Sequence, residues 1–175
     1  MKKNKQIPLL FLCLFFISYA VQAGENIKSE LLYVIDGDTA KFKHSICRFA
    51  YIDTPEKKNN AKSRKESAKY NIPLDKMYDA GRMATRYTKS LLRKGRTYSI
   101  QITGKDRYDR SICVIYLDNH KAVNDMLVEN GFAKPFWRYI PLSKKNKFKA
   151  LSIRAKNNKK GLWRIYPTLM EKMSH

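Results

Sequence analysis

A chain of 175 residues with 36 lysines and arginines against 15 aspartates and glutamates carries a formal charge of +21. Solubility alone does not need so one-sided a balance, which favours an anionic partner, either nucleic acid or an anionic surface. The length suits one compact domain with its own core.

The first residues stand apart from that domain. Lys2, Lys3 and Lys5 precede an apolar run from Ile7 to Ala20, and Val21-Gln22-Ala23 places small residues at a cleavage position, the pattern of a secretory signal over residues 1–23. The run is about 14 residues, short of the ~20 a membrane-spanning helix needs. The expectation is an exported monomer, periplasmic or secreted, with one domain over residues 24–175 and no stable membrane association after cleavage.

Leu31 to Ile35 reads as a strand, Thr39 to His44 as a second and Ile46 to Ile52 as a third, with Asp36-Gly37-Asp38 turning between the first two. Lys57 to Leu74 has lysine or arginine at six of eighteen positions and reads as a mobile, solvated loop. From Asp75 to Arg93, Ala80, Ala84, Tyr87 and Leu91 fall on one face of a helix that Gly95 stops. Thr97 to Thr103 and Ser111 to Leu117 are strands linked by Gly104 to Arg110. Val123 to Asn130 is a short helix ended by Gly131. Ser143 to Lys160 is a Lys-rich helix with Phe148, Leu151 and Ala155 facing inward, stopped by Gly161. Five short strands with helices set aside predict an α+β fold, a five-stranded barrel of oligonucleotide-binding (OB) type with three packed helices. Cys47 and Cys113 both fall in strands, so export permits a bridge between them; two buried thiols that never meet are the alternative.

In so basic a chain the scarce carboxylates stand out. Asp36 and Asp38 flank Gly37 at one strand end, and Asp53-Thr54-Pro55-Glu56 follows another. Oxygen donors of this kind suit a hard cation such as Ca²⁺ or Mg²⁺. If the two corners meet, a metal held there would face a phosphate. Phosphodiester hydrolysis also needs donors for the charge that grows on the non-bridging oxygens, a task for arginine. Arg48, set inside an apolar strand, and Arg110, at the opening of the last strand, are the candidates. Glu56, at the wet end of its corner, is a candidate base for an attacking water.

Taken together, Asp36-Gly37-Asp38-Thr39, Arg48, Asp53-Thr54-Pro55-Glu56 and Asp106-Arg107-Tyr108-Asp109-Arg110 resemble the staphylococcal nuclease (thermonuclease) family. The likeness runs on through Val123-Asn124 and Gly131-Phe132-Ala133-Lys134 to Gly161-Leu162-Trp163. It implies a Ca²⁺-dependent endonuclease acting on DNA and RNA, breaking the bond to the 5′ oxygen and leaving 3′-phosphate ends. By the same resemblance Asp38 and Asp53 would ligate calcium through side chains and Thr54 through its carbonyl, with Asp36 supporting them. Glu56 would be the general base, and Arg48 and Arg110 would grip the phosphate. Tyr108 falls where the family stacks a base, and Trp137 and Tyr139 where it lines the nucleotide pocket, although Trp137 could equally cover core. The chain departs from the pattern at Asp109, where the family often has glycine; aspartate tolerates a left-handed turn, and its charge could weaken or hold Arg110. The basic segment after Glu56 would lengthen the nucleic-acid track if it is ordered.

Two other classes compete. A non-catalytic nucleic-acid-binding OB-fold module would be expected to have lost the acids and arginines, which are all present. A cationic protein acting on anionic lipid would usually need a long amphipathic helix with a wide apolar face, and the basic residues form none.

Overall fold

One bent strand closes the barrel. In the computed structural model, which describes residues 25–118 and 120–174, β1 (Glu25–Asp36) pairs through its first half with β5 (Thr97–Lys105), from Glu25↔Ile102 to Glu30↔Thr97. Its second half pairs with β2 (Thr39–Phe42), and two irregularities, between Leu31 and Tyr33 and between Val34 and Asp36, bend it from one neighbour to the other. Next come β3 (Ile46–Phe49), antiparallel to β2, and β6 (Ser111–Tyr116), parallel to β3 and antiparallel to β5. The closed order is β1-β2-β3-β6-β5, the expected five-stranded α+β barrel. A two-residue ladder, β4 (Ile52–Asp53) with β7 (Lys134–Pro135), stands beside it. The expected signal segment and its cut after Ala23 lie outside the described residues.

Alternation along the strands fills the barrel with Leu31, Phe42, Phe49, Ile100 and Ile115, each under 2% exposed. The three helices expected from periodicity are α2 (Leu74–Leu91), α3 (Val123–Glu129) and α4 (Leu142–Asn157). Leu127 of α3 and Phe148 of α4 complete the barrel core. Beyond Gly161 the chain adds α5 (Leu162–Ile165) and α6 (Pro167–Met173), which bury Leu162, Leu169 and Met170 against Met77 and Ala80 of α2 in a second cluster. Asn124 is buried and ties three elements: its amide donates to Ala50 O and Cys113 O, and its carbonyl accepts from Ile115 N.

Two findings go beyond or against the reading of the sequence. Cys47 and Cys113 are bonded, joining β3 to β6 with Cα atoms 5.6 Å apart. The segment read as a mobile loop instead contains a helix, α1 (Ala61–Tyr70). It lacks an apolar stripe, so periodicity could not reveal it. Hydrogen bonds at its ends hold it. Asn60 accepts from Ser63 N at 2.7 Å while Ser63 Oγ accepts from Asn60 N at 3.0 Å, a reciprocal cap. Asn71 ends it in the left-handed region at φ 49°, and Lys172 of α6 donates to Tyr70 O at 2.6 Å.

Candidate active site

The two acidic corners meet because two glycines leave no side chain between them. A Cβ on Gly37 would lie 2.7 Å from Thr54 Oγ1 and 2.9 Å from Ala84 Cβ. One on Gly81 of α2 would lie 2.4 Å from the carbonyl carbon of Glu56. Helix α2 thus runs directly against both turns, and Thr88 Oγ1 donates to Gly37 O at 2.6 Å. With the corners in contact, Asp38 Oδ2 accepts from Thr54 N at 2.8 Å and from Thr54 Oγ1 at 2.9 Å. Asp36 Oδ1 accepts from Asp38 N at 3.3 Å.

Arg48 completes this corner. Strand β2 aligns Thr39 opposite it, which brings its guanidinium over the turn. Nη1 lies 2.6 Å from Asp38 Oδ1 and Nη2 2.8 Å from Asp53 Oδ1. Both terminal nitrogens are therefore directed at carboxylates. Burial works against each charge here. Arg48, Lys62 and the Thr54 donors outweigh it and hold the Asp38 carboxyl below the usual range, while Asp38 and Asp53 hold Arg48 above its own. Asp36 has burial and the neighbouring Asp38 charge against it and is pushed up to about 6.

The sequence did not flag Lys62, Asn60 or Glu66 of the α1 region, or single out Lys134. Lys62 Nζ sits 2.9 Å from Asp53 Oδ1 and 2.9 Å from Glu56 Oε1. Glu66 lies 3.9 Å from the same ammonium. Asn60 Nδ2 donates to Glu56 Oε2 at 2.8 Å, and Lys134 lies 3.8 Å from Asp53 Oδ2. Of these, Asn60 carried a legible signal, as a helix-capping residue type ahead of Ser63.

Arg110 belongs to a different unit. Its Nε and Nη2 are both 2.7 Å from Asp106 Oδ2, and Asp106 Oδ1 accepts from Tyr108 N and Arg110 N, making a self-contained turn. The pairing of Cys47 with Ser111 places Arg110 one residue before that rung, just ahead of the strand next to Arg48's. Asp109 takes the left-handed conformation at φ 59°, and its carboxylate pairs with Lys105, leaving Arg110 to Asp106. Tyr108 is 65% exposed, with the Arg107 guanidinium 4.8 Å above its ring. Trp137 and Tyr139 lie on a short 3-10 turn just after β7, and Phe136 meets Tyr139 edge-on at 4.7 Å. Trp137 is 36% exposed and so presents surface besides any core it covers.

The donor set suits a hard cation. Asp38 and Asp53 offer oxygen only, with the Thr54 carbonyl in the same corner. Five carboxylates, Asp36, Asp38, Asp53, Glu56 and Glu66, face the three cations paired with them, Arg48, Lys62 and Lys134. Among the described residues no group of three or more aspartate, glutamate, histidine or cysteine side chains is arranged to hold a metal ion by itself. Two carboxylates and a carbonyl would leave an ion's remaining positions to water and substrate.

A closed OB barrel carrying acids and arginines along neighbouring strand ends is a fold and site suited to handling nucleic-acid phosphates. The sequence profile described as Staphylococcal nuclease homologue matches residues 46–165. The chain is similar, at 30% identity over 164 residues, 91% of its length and 90% of the relative's, to a protein of Escherichia coli O157:H7 described as an uncharacterized endonuclease. It is also similar to Endonuclease YhcR of Bacillus subtilis (strain 168), at 27% identity over 147 residues, which are 79% of this chain and 11% of that much longer protein. The chain belongs to the staphylococcal nuclease family.

Proposed function

We propose that the protein is an exported, monomeric, calcium-dependent endonuclease that hydrolyses phosphodiester bonds of DNA and RNA and leaves 3′-phosphate ends. The observation that carries this reading is the closure of one acidic corner on the other, with both Thr54 donors on Asp38 Oδ2 and Arg48 spanning Asp38 and Asp53. Family membership and relatives named as endonucleases support it. The buried Cys47–Cys113 bond supports export, since such bonds persist in oxidising compartments. No helix of the described residues is long and apolar enough to cross a membrane.

Asp38 and Asp53, with the Thr54 carbonyl, would hold Ca²⁺, which when bound supplies positive charge to the phosphate and acidifies nearby water. Asp36, accepting from Asp38 N, keeps its turn in shape. Glu56 would take the proton from water as the water oxygen attacks phosphorus. Arg48 and Arg110 would donate to the non-bridging oxygens, whose charge rises toward the transition state. The phosphorus–O5′ bond would then break, the leaving oxygen would take a proton from solvent water, and the phosphate would stay on the 3′ side. Arg110, across the strand pair from Arg48, would stand on the leaving-group side. Tyr108, Trp137 and Tyr139 would stack bases without regard to sequence, at ~1–3 kcal/mol per base.

The test is to incubate the purified protein with DNA and with RNA, in Ca²⁺ and in excess chelator. Calcium-dependent degradation to fragments whose 3′ ends need phosphatase before they can be extended is expected. Retention of nucleic acid without cutting in Ca²⁺ would overturn the proposal and leave the binding-module reading in its place.

A further inference from the structure

Helix α1 reaches the site as well as bordering it. Its first turn is fastened at three points: the reciprocal Asn60–Ser63 cap, the fully buried Ser63, and Asn60 Nδ2 on Glu56 Oε2. Lys62 lies within that turn, so the backbone aims its side chain into the pocket. The ammonium stands 2.9 Å from a carboxylate oxygen of Asp53 and 2.9 Å from one of Glu56. It therefore bridges a residue assigned to metal binding and the residue assigned as base. Its side chain is still 41% exposed, so a path to solvent stays open.

We infer that Lys62 is a tethered counter-ion that holds the acidic pocket in the metal-free protein, and that a divalent ion must displace it to bind. This rests on the calcium reading of the site and adds its regulation. Lys62 shares Asp53 Oδ1 with Arg48 Nη2, which lies on it at 2.8 Å, so the ammonium adds a second unit of positive charge that repels an incoming dication at short range and crowds an oxygen the ion would use. The displaced ammonium, still attached to α1 beside the pocket, becomes a free cation at the site's edge when the metal arrives. The lysine thus raises the divalent concentration at which the site fills, and it spares the pocket the repulsion of crowded carboxylates while the site is empty.

Calcium chloride is titrated calorimetrically into chelator-treated, substrate-free protein at low salt and neutral pH, for the natural chain, Lys62→Met and Lys62→Arg. Methionine keeps much of the aliphatic stem and removes the charge; near-ultraviolet circular dichroism checks that it folds, and Lys62→Gln replaces it if it does not. The expected result is calcium binding at least ~10-fold tighter in Lys62→Met, with Lys62→Arg staying within a few-fold of the natural chain. Binding of equal or weaker affinity in Lys62→Met overturns the gating role and leaves the calcium reading standing. If none of the three proteins binds Ca²⁺, the metal site itself is wrong and the gate falls with it. Binding in Lys62→Met and not in the natural chain supports the inference outright.

Discussion

Arg48 stands on β3 and Arg110 in the turn that leads into β6, the next strand of the barrel, yet they are held to different standards. Arg48 is mostly buried, with one nitrogen on Asp38 and another on Asp53, in a pocket where two glycines let three elements touch. Arg110 belongs to an exposed five-residue turn and pairs with Asp106 of that same turn. One half of the proposed phosphate grip is part of the fold. The other half is a local device that can change partners cheaply, since partly exposed ion pairs contribute little to stability. A nucleic-acid phosphate can take Arg110 from Asp106 at small cost, whereas Arg48 has to be drawn from buried carboxylates to reach one.

The largest effects should come from breaking the two arginines separately. Arg48→Met and Arg110→Met are each expected to lower turnover by at least ~10³-fold. Only Arg48→Met should also cost about 3 kcal/mol of folding stability, because it leaves Asp38 and Asp53 without their shared partner. Arg110→Met should cost less than about 1 kcal/mol. Denaturant melts run beside single-turnover assays separate the two quantities, and equal stability losses would erase the contrast drawn above.

Gly81→Ala attacks the same pocket without touching a charge. In an ordinary helix interior this change gains about 1 kcal/mol. Here the new methyl would press on the Glu56 carbonyl carbon at 2.4 Å, so the sign should reverse to a net loss of ~1–3 kcal/mol. Turnover should fall with it as Glu56 shifts. A stabilised, fully active variant would show that α2 does not set the corner.

On the exposed side, Tyr108→Ala should leave stability unchanged. It should weaken binding of single-stranded oligonucleotide by about 5- to 150-fold, the equivalent of ~1–3 kcal/mol for one stacked base. Fluorescence anisotropy in chelator, where no cutting competes, measures this directly. Unchanged affinity would make Tyr108 a surface ring and no more.

The elements that pack by a regular stripe were legible in the sequence. Alternation in Thr97–Thr103 and the four-three-four spacing of Ala80, Ala84, Tyr87 and Leu91 led to β5 and α2. The acidic corners were legible because Asp-Gly-Asp and Asp-Thr-Pro-Glu are compact local signals whose strands proved adjacent. Helix α1 was not, since it is set by two caps and by Lys62 reaching carboxylates brought by other segments. The sequence left the pairing of Cys47 with Cys113 open between a bridge and two separate thiols: it depends on β3 and β6 running parallel, which strand order along the chain does not dictate.

That sulfur bond has a further meaning for the cell that makes the protein. Cys47 directly precedes Arg48, and Cys113 follows Arg110 by three positions, so the bond staples together the two strands that present the guanidinium pair. In a reducing cytosol the two thiols stay separate, and packing alone must keep those strands in register. The constraint, worth roughly 4 kcal/mol by the loop-entropy argument for a loop of this length, appears only on oxidation. An oxidising surrounding thus locks the register of the strands that flank both guanidinium groups, and a reducing one leaves it to packing alone.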